Sequence, residues 1–161
     1  GNVVVNGSGV TLAKFKVKAN GERLKVENLR VSHTSSDANW FQIRNGALFL
    51  DGVQIGSTAA TISSSAFAIA PTTNPVQVPA GQTYYFELRG STGGYTTGSS
   101  IAATLLGDSS FQGMVSTSTA SGNFVWSPNT NGTTAAATSD WTNGYGVSGL
   151  PAGGLFATRS H

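Results

Sequence analysis

The fold is indicated first by residues 11–19, which read Thr-Leu-Ala-Lys-Phe-Lys-Val-Lys-Ala. Apolar and cationic side chains alternate in this stretch with a period of two residues, the period at which successive side chains of a β-strand change faces. The apolar set is Ala13, Phe15 and Val17, and the cationic set is Lys14, Lys16 and Lys18. The pattern predicts a strand with one face in a hydrophobic core and a lysine face in solvent.

Turn residues divide the sequence around such strands. Asn20-Gly21 and Asp51-Gly52 are pairs that favour the two positive φ angles of a type I′ turn, and each lies between two apolar runs. The first pair predicts a β-hairpin over residues 11–31, with a bulge near residues 27–28, where the apolar pattern slips by one residue. The second pair predicts a hairpin over residues 47–59.

Further short apolar or aromatic runs follow, and the first two are bounded by prolines, which lack the N–H that a central strand donates. The runs are residues 66–70, 76–78, 83–89, 100–106 and 123–126. No stretch shows a capped apolar stripe with a 3.6-residue period, so we predict no helix longer than a turn or two. The chain is therefore predicted to be all-β, a single β-sandwich of about seven to nine strands, with a jelly roll as the alternative.

Composition divides the chain into three parts. Residues 11–106 carry the strand pattern and predict the sandwich core. Residues 107–161 are poor in charge and rich in Gly, Thr, Ser and Asn, which predicts an extended, loop-rich region packed on the sandwich or on a neighbouring subunit. Residues 1–10 form an apolar arm that either closes its own sheet or adds to the edge of a neighbour's sheet. In the second case the candidate donor side chains are Val3, Val4, Val5 and Val10.

Charge and cysteine content exclude several classes of function. The chain has no cysteine, which excludes disulfides and thiol chemistry, and only 10% of its residues are charged, against about a quarter in an average protein. This composition predicts an extracellular or cell-surface location, with Gly1 as the start of a processed chain or of a fragment. A net charge of +2 without a dense basic cluster argues against nucleic acid as a partner. The longest apolar run is too short for a membrane span.

Candidate catalytic and metal-binding groups are sparse. His33 and His161 have no nucleophile motif beside them, and most of the 7 acidic residues are explained by strand faces or turns. We therefore predict a protein that is not an enzyme, with no catalytic residues and no cofactor, and keep a hydrolase only as a distant alternative. A structural Ca²⁺ ion near Asp37, Asp108 or Asp140, held mainly by backbone carbonyls, is the metal hypothesis that the residues leave open.

Aromatic side chains are the main candidates for contact with a partner. Some lie in strand-like runs, where filling of the core is the better interpretation; these are Trp40, Phe41, Tyr85 and Trp126. Others lie in polar surroundings, where they can stack on sugar rings or contact protein. We take these as the candidate interface or ligand residues: Tyr95, Trp141, Tyr145 and Phe156.

Several stretches resemble the Ig-like repeats of bacterial cell-surface and surface-layer proteins. The sandwich resemblance rests on residues 12–19, 48–57 and 78–83, and residues 124–128, 140–145 and 149–151 look like the C-terminal region of the same exported proteins. The shared motifs are turn and strand signatures rather than chemistry. The resemblance implies an extracellular structural or assembly role and supplies no catalytic residues.

These observations predict a non-enzymatic extracellular structural subunit that assembles with copies of itself into a filament or a surface layer by exchange of β-strands. The alternative is a carbohydrate-binding module that uses exposed Trp and Tyr side chains to bind cell-surface glycans.

Overall fold

A computed structural model describes residues 7–35, 43–62, 67–69, 76–93, 97–112, 122–128 and 141–160. Ten strands lie in this part of the chain, in two antiparallel sheets, and it contains no helix. The strands are β1 (Gly7–Lys18), β2 (Leu24–Ser35), β3 (Ile43–Leu50), β4 (Val53–Ile62), β5 (Phe67–Ile69), β6 (Val76–Val78), β7 (Thr83–Thr92), β8 (Ser100–Leu105), β9 (Phe124–Ser127) and β10 (Leu155–Ser160). The predicted all-β sandwich is confirmed, with one strand more than the upper end of the expected number.

The two sheets have different constructions. The first is four-stranded, in the order β1-β7-β3-β4. The second is arranged around the long strand β2, which pairs with β8 and β9 along one edge and with β5 and β6 along the other, while β10 extends the sheet beyond β8. The short strands that prolines bound in the sequence are therefore edge strands, because proline cannot donate to a central ladder.

The hydrophobic core lies between the sheets and follows the alternation seen in the sequence. Phe86 and Leu88 of β7 are buried, as are Ile101, Ala103 and Leu105 of β8. Facing residues of β1 and β7 also stack across the ladder: the rings of Phe15 and Phe86 lie nearly parallel, with centroids 5.2 Å apart. Such aromatic pairs stabilise neighbouring strands beyond the area they bury.

One predicted hairpin is confirmed and the other is wrong. β3 and β4 pair across Asp51-Gly52, and these two residues have φ angles of 48° and 85°, as a type I′ turn requires. β1 and β2 do not pair with each other; β1 pairs with β7, and β2 belongs to the opposite sheet. At this link only Gly21 has a positive φ, 91°, and Asn20 does not, so the chain crosses between sheets instead of folding back. The bulge expected in β2 is present, as a register shift between Val26 and Asn28.

The described part of the C-terminal region is built into the sandwich. β9 pairs with β2, and β10 pairs with β8 from Leu155↔Leu105 to Ser160↔Ser100. The expected boundary at residue 106 is therefore not a boundary in the sheet. β10 was not predicted because Leu155 and Phe156 are consecutive and both exposed, so no period-two pattern marks the strand.

The described residues include no helix long and apolar enough to cross a membrane.

Candidate functional site: a groove between two sheet edges

A groove of about 1040 Å³ opens along one side of the sandwich. Its walls are β1, one end strand of the four-stranded sheet, and β10, one end strand of the other sheet. Among the described strands, β1 pairs only with β7 and β10 only with β8, so each turns an unpaired edge outward. We call this feature the edge groove.

The floor of the edge groove is the hydrophobic core itself. Val31, Leu88, Leu105, Phe124 and Leu150 belong to the core cluster and also line the groove. These five side chains are at most 8% exposed, so the groove ends on the packed core, between two strand edges that have no partner on this side. An apolar segment placed there gains the burial free energy of its own side chains.

The two rims of the groove differ in chemistry. Lys14, Lys16 and Lys18 line the β1 side. The opposite rim is aromatic and aliphatic, with Tyr145 51% exposed, Leu155 42% and Phe156 75%. The groove therefore has an apolar floor, a cationic rim and an apolar rim.

Asp108 holds the wall that carries Tyr145. Its Oδ1 accepts a hydrogen bond from the backbone N–H of Asn123 at 2.9 Å, and its Oδ2 accepts from Gly144 at 2.9 Å and from Phe124 at 3.3 Å. A carboxylate that collects backbone N–H donors ties their segments together more strongly than a neutral acceptor does. Asp108, which the sequence left open as a Ca²⁺ ligand, thus uses both oxygens to join three separate parts of the C-terminal region.

Asn143 is a second joining residue. Its Oδ1 accepts from the N–H of Gln112 at 3.2 Å, and its Nδ2 donates to the carbonyl of Ser110 at 2.8 Å. Its own carbonyl accepts from Trp126 Nε1 at 3.0 Å, next to a backbone bridge between Trp126 and Thr142. These bonds fix residues 141–145 against β9.

The outer face of the four-stranded sheet carries a compact charge cluster on β7. Glu87 is 13% exposed; its Oε2 accepts from Arg89 Nη2 at 2.6 Å, its Oε1 accepts from the Thr11 hydroxyl, and Lys14 Nζ lies 3.7 Å away. The Arg89 guanidinium also lies over the Phe49 ring, 4.3 Å from its centroid. The hydrogen bond from Arg89, followed by that from Thr11 and the nearby positive charges, lowers the pKa of Glu87 although burial acts against this.

Because the pKa of Glu87 is lower in the folded chain than its ordinary value of 4.5, the ionised carboxylate stabilises the fold at higher pH. This stabilisation is fully present above that ordinary value and is lost as the pH falls through the lower, folded-state pKa. We expect Glu87→Gln to cost about 1 kcal/mol of unfolding free energy at pH 7. Urea unfolding at pH 7, 5 and 3 should show the two proteins converging at low pH. A constant difference at all three pH values would contradict this assignment.

The structure places the predicted contact residues in three different situations. Tyr145 and Phe156 are exposed, and both line the edge groove. Trp141 is only 1% exposed and packs with Val125, so the expectation of a surface contact at Trp141 is wrong. Its large ring is buried because the bonds of Asn143 press this segment onto β9. Tyr95 lies outside the described residues.

The candidate donor residues are also divided. Val10 belongs to β1 and pairs with Gly90 of β7, so at this residue the chain closes its own sheet. The start of β1 is irregular, with a register shift between Gly7 and Val10 and a φ of 65° at Gly9. The remaining donor candidates, Val3, Val4 and Val5, lie outside the described residues.

The sequence pattern did not indicate Leu155 and Asn143 as site residues, and it indicated Asp108 only as a candidate Ca²⁺ ligand, not as a residue that joins segments of the chain. The aliphatic Leu155 gives no signal by itself, since it becomes part of a rim only through the pairing of β10 with β8. The polar pair looked like loop residues, because their bonding partners lie 15 to 36 residues away along the chain. Within the described ranges no group of three or more His, Cys, Asp or Glu side chains is arranged to hold a metal ion.

Comparisons with protein-family models, with curated proteins and with solved structures find no match to this chain.

Proposed function

We propose that this protein is a non-enzymatic extracellular structural subunit, and that copies join when the N-terminal arm of one enters the edge groove of the next. The observation that carries the proposal is the edge groove itself, whose floor is the core and whose walls are two unpaired strands. An inserted strand would satisfy the outward N–H and C=O groups of such an edge and cover its apolar floor.

The arm has the residues that such a groove accepts. Val3, Val4 and Val5 form a β-branched run, and β-branched side chains pack well on a pleated sheet. In a strand, Val3 and Val5 point to one face, and burial of each contributes about 1.5–3 kcal/mol. In such a strand Val4 would point to the opposite face.

Chain length favours insertion of a neighbouring copy's arm into the groove over insertion of the chain's own arm. β1 flanks the edge groove at residues 13–18, and Gly7 lies six residues before this region, or about 20 Å along the strand. An extended chain spans at most about 3.6 Å per residue, so Val3 reaches no farther than about 14 Å from Gly7. The arm would in addition have to reverse its direction to enter its own groove.

The arm and the groove are different surfaces, so the contact is of the head-to-tail kind. A head-to-tail contact repeats from copy to copy and gives a filament or a ring, whereas an isologous contact gives a closed dimer. The low charge and the absence of cysteine support an extracellular location for this assembly. The assembly role predicted from the sequence is therefore retained, with the N-terminal arm as the donor strand and the edge groove as the acceptor.

Because the chain has no cysteine, single introduced cysteines test this contact without background. Chains carrying Val3→Cys, Val4→Cys or Val5→Cys are each mixed with chains carrying Phe156→Cys and oxidised. We expect at least one mixture to give a disulfide-linked dimer at twice the 16.5 kDa of the chain on a non-reducing gel. Three neighbouring positions are used because the register of the inserted strand is not fixed in advance.

Phe111→Cys is the matched control, since Phe111 is 66% exposed but does not line the groove. It should give no more dimer with the arm cysteines than random collision does. Electron microscopy of the untagged chain should show filaments or sheets that disappear in the double variant Val3→Asp/Val5→Asp. Monomers at all concentrations, or equal cross-linking at Phe111 and Phe156, would overturn the proposal.

A carbohydrate-binding module is the second candidate, because Tyr145 and Phe156 are both exposed and both line the groove. Aromatic rings of this kind stack on sugars. Trp126 also lines the groove, so its fluorescence would report on a bound glycan. A monomeric chain whose fluorescence responds to a neutral oligosaccharide, and loses that response in Phe156→Ser, would place this function first.

A further inference from the structure

We propose that the outer face of the four-stranded sheet binds a linear acidic polysaccharide through a row of three lysines on β1. This site is separate from the floor of the edge groove, although its three lysines also form the cationic rim of that groove. We call the row formed by Lys14, Lys16 and Lys18, together with Tyr85, the lysine face.

The lysine face follows from the period of the strand. Alternate residues of β1 point to the outer face, and residues two apart lie about 6.8 Å from each other. All three lysines are exposed, and the Lys14 side chain is 68% exposed. The row therefore presents three ammonium groups, carried on flexible stems, along a length of about 13 Å.

An aromatic ring lies beside the centre of the row. Tyr85 is the register partner of Lys16, so both side chains stand on the same face of neighbouring strands. Tyr85 is 60% exposed, so the expectation that it fills the core is wrong. An exposed ring next to cations is suited to a ligand that has both sugar rings and negative charges. A ligand with negative charges alone would not need the ring.

The acidic group nearest the row is Glu87, which lies 2.6 Å from Arg89 and 3.7 Å from Lys14, so it offsets charge at the Lys14 end of the row only in part. Glu87 is the register partner of Lys14, but its two carboxylate oxygens already accept from Arg89 and Thr11. Lys16 and Lys18 face Tyr85 and Thr83, which are uncharged. Four lysines occur in the whole chain, and three of them stand in this row.

The lysine face is compatible with assembly. The three lysines line the groove, but a strand that enters beside β1 pairs with its backbone edge and leaves uncovered the outer face on which the lysine and Tyr85 side chains stand. Exposed charge pairs are individually weak, and a factor of about 2–5 in affinity for each is the usual range. In an assembly, however, many copies of the row would meet one long polymer, and multivalent contact raises the overall affinity without new interactions.

Binding is measured with immobilised polygalacturonate as the acidic polysaccharide, dextran as the neutral one and inorganic polyphosphate as a polyanion without rings. We expect the chain to prefer polygalacturonate over dextran, with an affinity that falls about tenfold between 50 and 200 mM NaCl. The variant Lys14→Gln/Lys16→Gln/Lys18→Gln should lose at least about tenfold in affinity for polygalacturonate. Tyr85→Ser should weaken binding of polygalacturonate but leave binding of polyphosphate unchanged.

Two controls separate this result from general effects. The variant Lys14→Arg/Lys16→Arg/Lys18→Arg keeps the charges and should keep the binding, and thermal unfolding verifies that the exposed substitutions leave the fold intact. Retention of polygalacturonate binding by the glutamine variant would overturn the assignment of the binding site to the lysine face. Loss of binding in the glutamine variant together with full binding by Tyr85→Ser would overturn the polysaccharide as its ligand. Both readouts use monomeric protein as well as assembled protein, so failure of the assembly proposal is seen separately.

Discussion

Replacing Trp141 by alanine is expected to lower the free energy of unfolding by about 4 kcal/mol, the range for removal of a buried Trp side chain. Trp141 is 1% exposed and is among the largest fully buried side chains of the described residues. It packs with Val125 of β9, and the neighbouring residues Thr142 and Asn143 bond to Trp126. The substitution would leave a cavity under a segment that these bonds prevent from closing.

Urea unfolding followed by circular dichroism measures the effect. Tyr145→Ala is the matched control, because Tyr145 lies four residues further on but is 51% exposed, and its loss should cost less than about 1 kcal/mol. A Trp141 variant with unchanged stability and altered binding of a glycan would contradict the core assignment and restore Trp141 as a surface residue.

There is a physical reason why the burial of Trp141 could not be predicted from the sequence. The segment around it, Asp-Trp-Thr-Asn-Gly-Tyr, has no period of two or 3.6, so nothing local distinguishes the buried ring from the exposed ring of Tyr145. The burial of Trp141 depends on Asn143, whose hydrogen-bond partners Ser110 and Gln112 lie more than 30 residues earlier in the chain. Contacts of that range leave no local pattern in a single sequence.

The features that the sequence predicted correctly are those determined by interactions between residues close together in the chain. Alternation alone predicted most of the strands, because a half-buried strand requires it. Asp51-Gly52 predicted its hairpin because both residues adopt positive φ, while Asn20-Gly21 failed because Asn20 does not. At the end of β1 two tertiary backbone bonds, Ala19 N–H to the Gln82 carbonyl and Gly81 N–H to the Ala19 carbonyl, join β1 to the turn before β7 instead.

The edge groove could not be predicted from patterns in the sequence. Its walls are the first and last of the described strands, and each became an edge through pairing with a distant strand, β7 or β8. The lysines of the rim were recognised as a solvent face from their alternation. Their position beside an opening to the core depended on the topology.

Replacing Gly154 by alanine is expected to cost about 3 kcal/mol, because this glycine meets two separate constraints. Its φ is +85°, a conformation that costs other residues about 1–2 kcal/mol. An added Cβ would also collide with the carbonyl oxygen of Leu105 and lie 2.9 Å from Thr104 Cγ2, and neither the backbone nor the packed β8 can move away cheaply. The position matters because Gly154 immediately precedes β10.

Gly153→Ala is the control for Gly154→Ala, since Gly153 has an ordinary φ and no atom within 4 Å of an added Cβ. It should be neutral or slightly stabilising, because alanine reduces the freedom of the unfolded chain. Urea unfolding of the two variants measures the difference, and equal stabilities would contradict the close approach of Gly154 to β8. Because β10 carries Leu155 and Phe156, the Gly154 variant should also weaken the cross-link between arm and groove, while the Gly153 variant leaves it unchanged. The close approach of Gly154 to the Leu105 carbonyl of β8 is thus expected to determine whether the apolar rim of the edge groove is present.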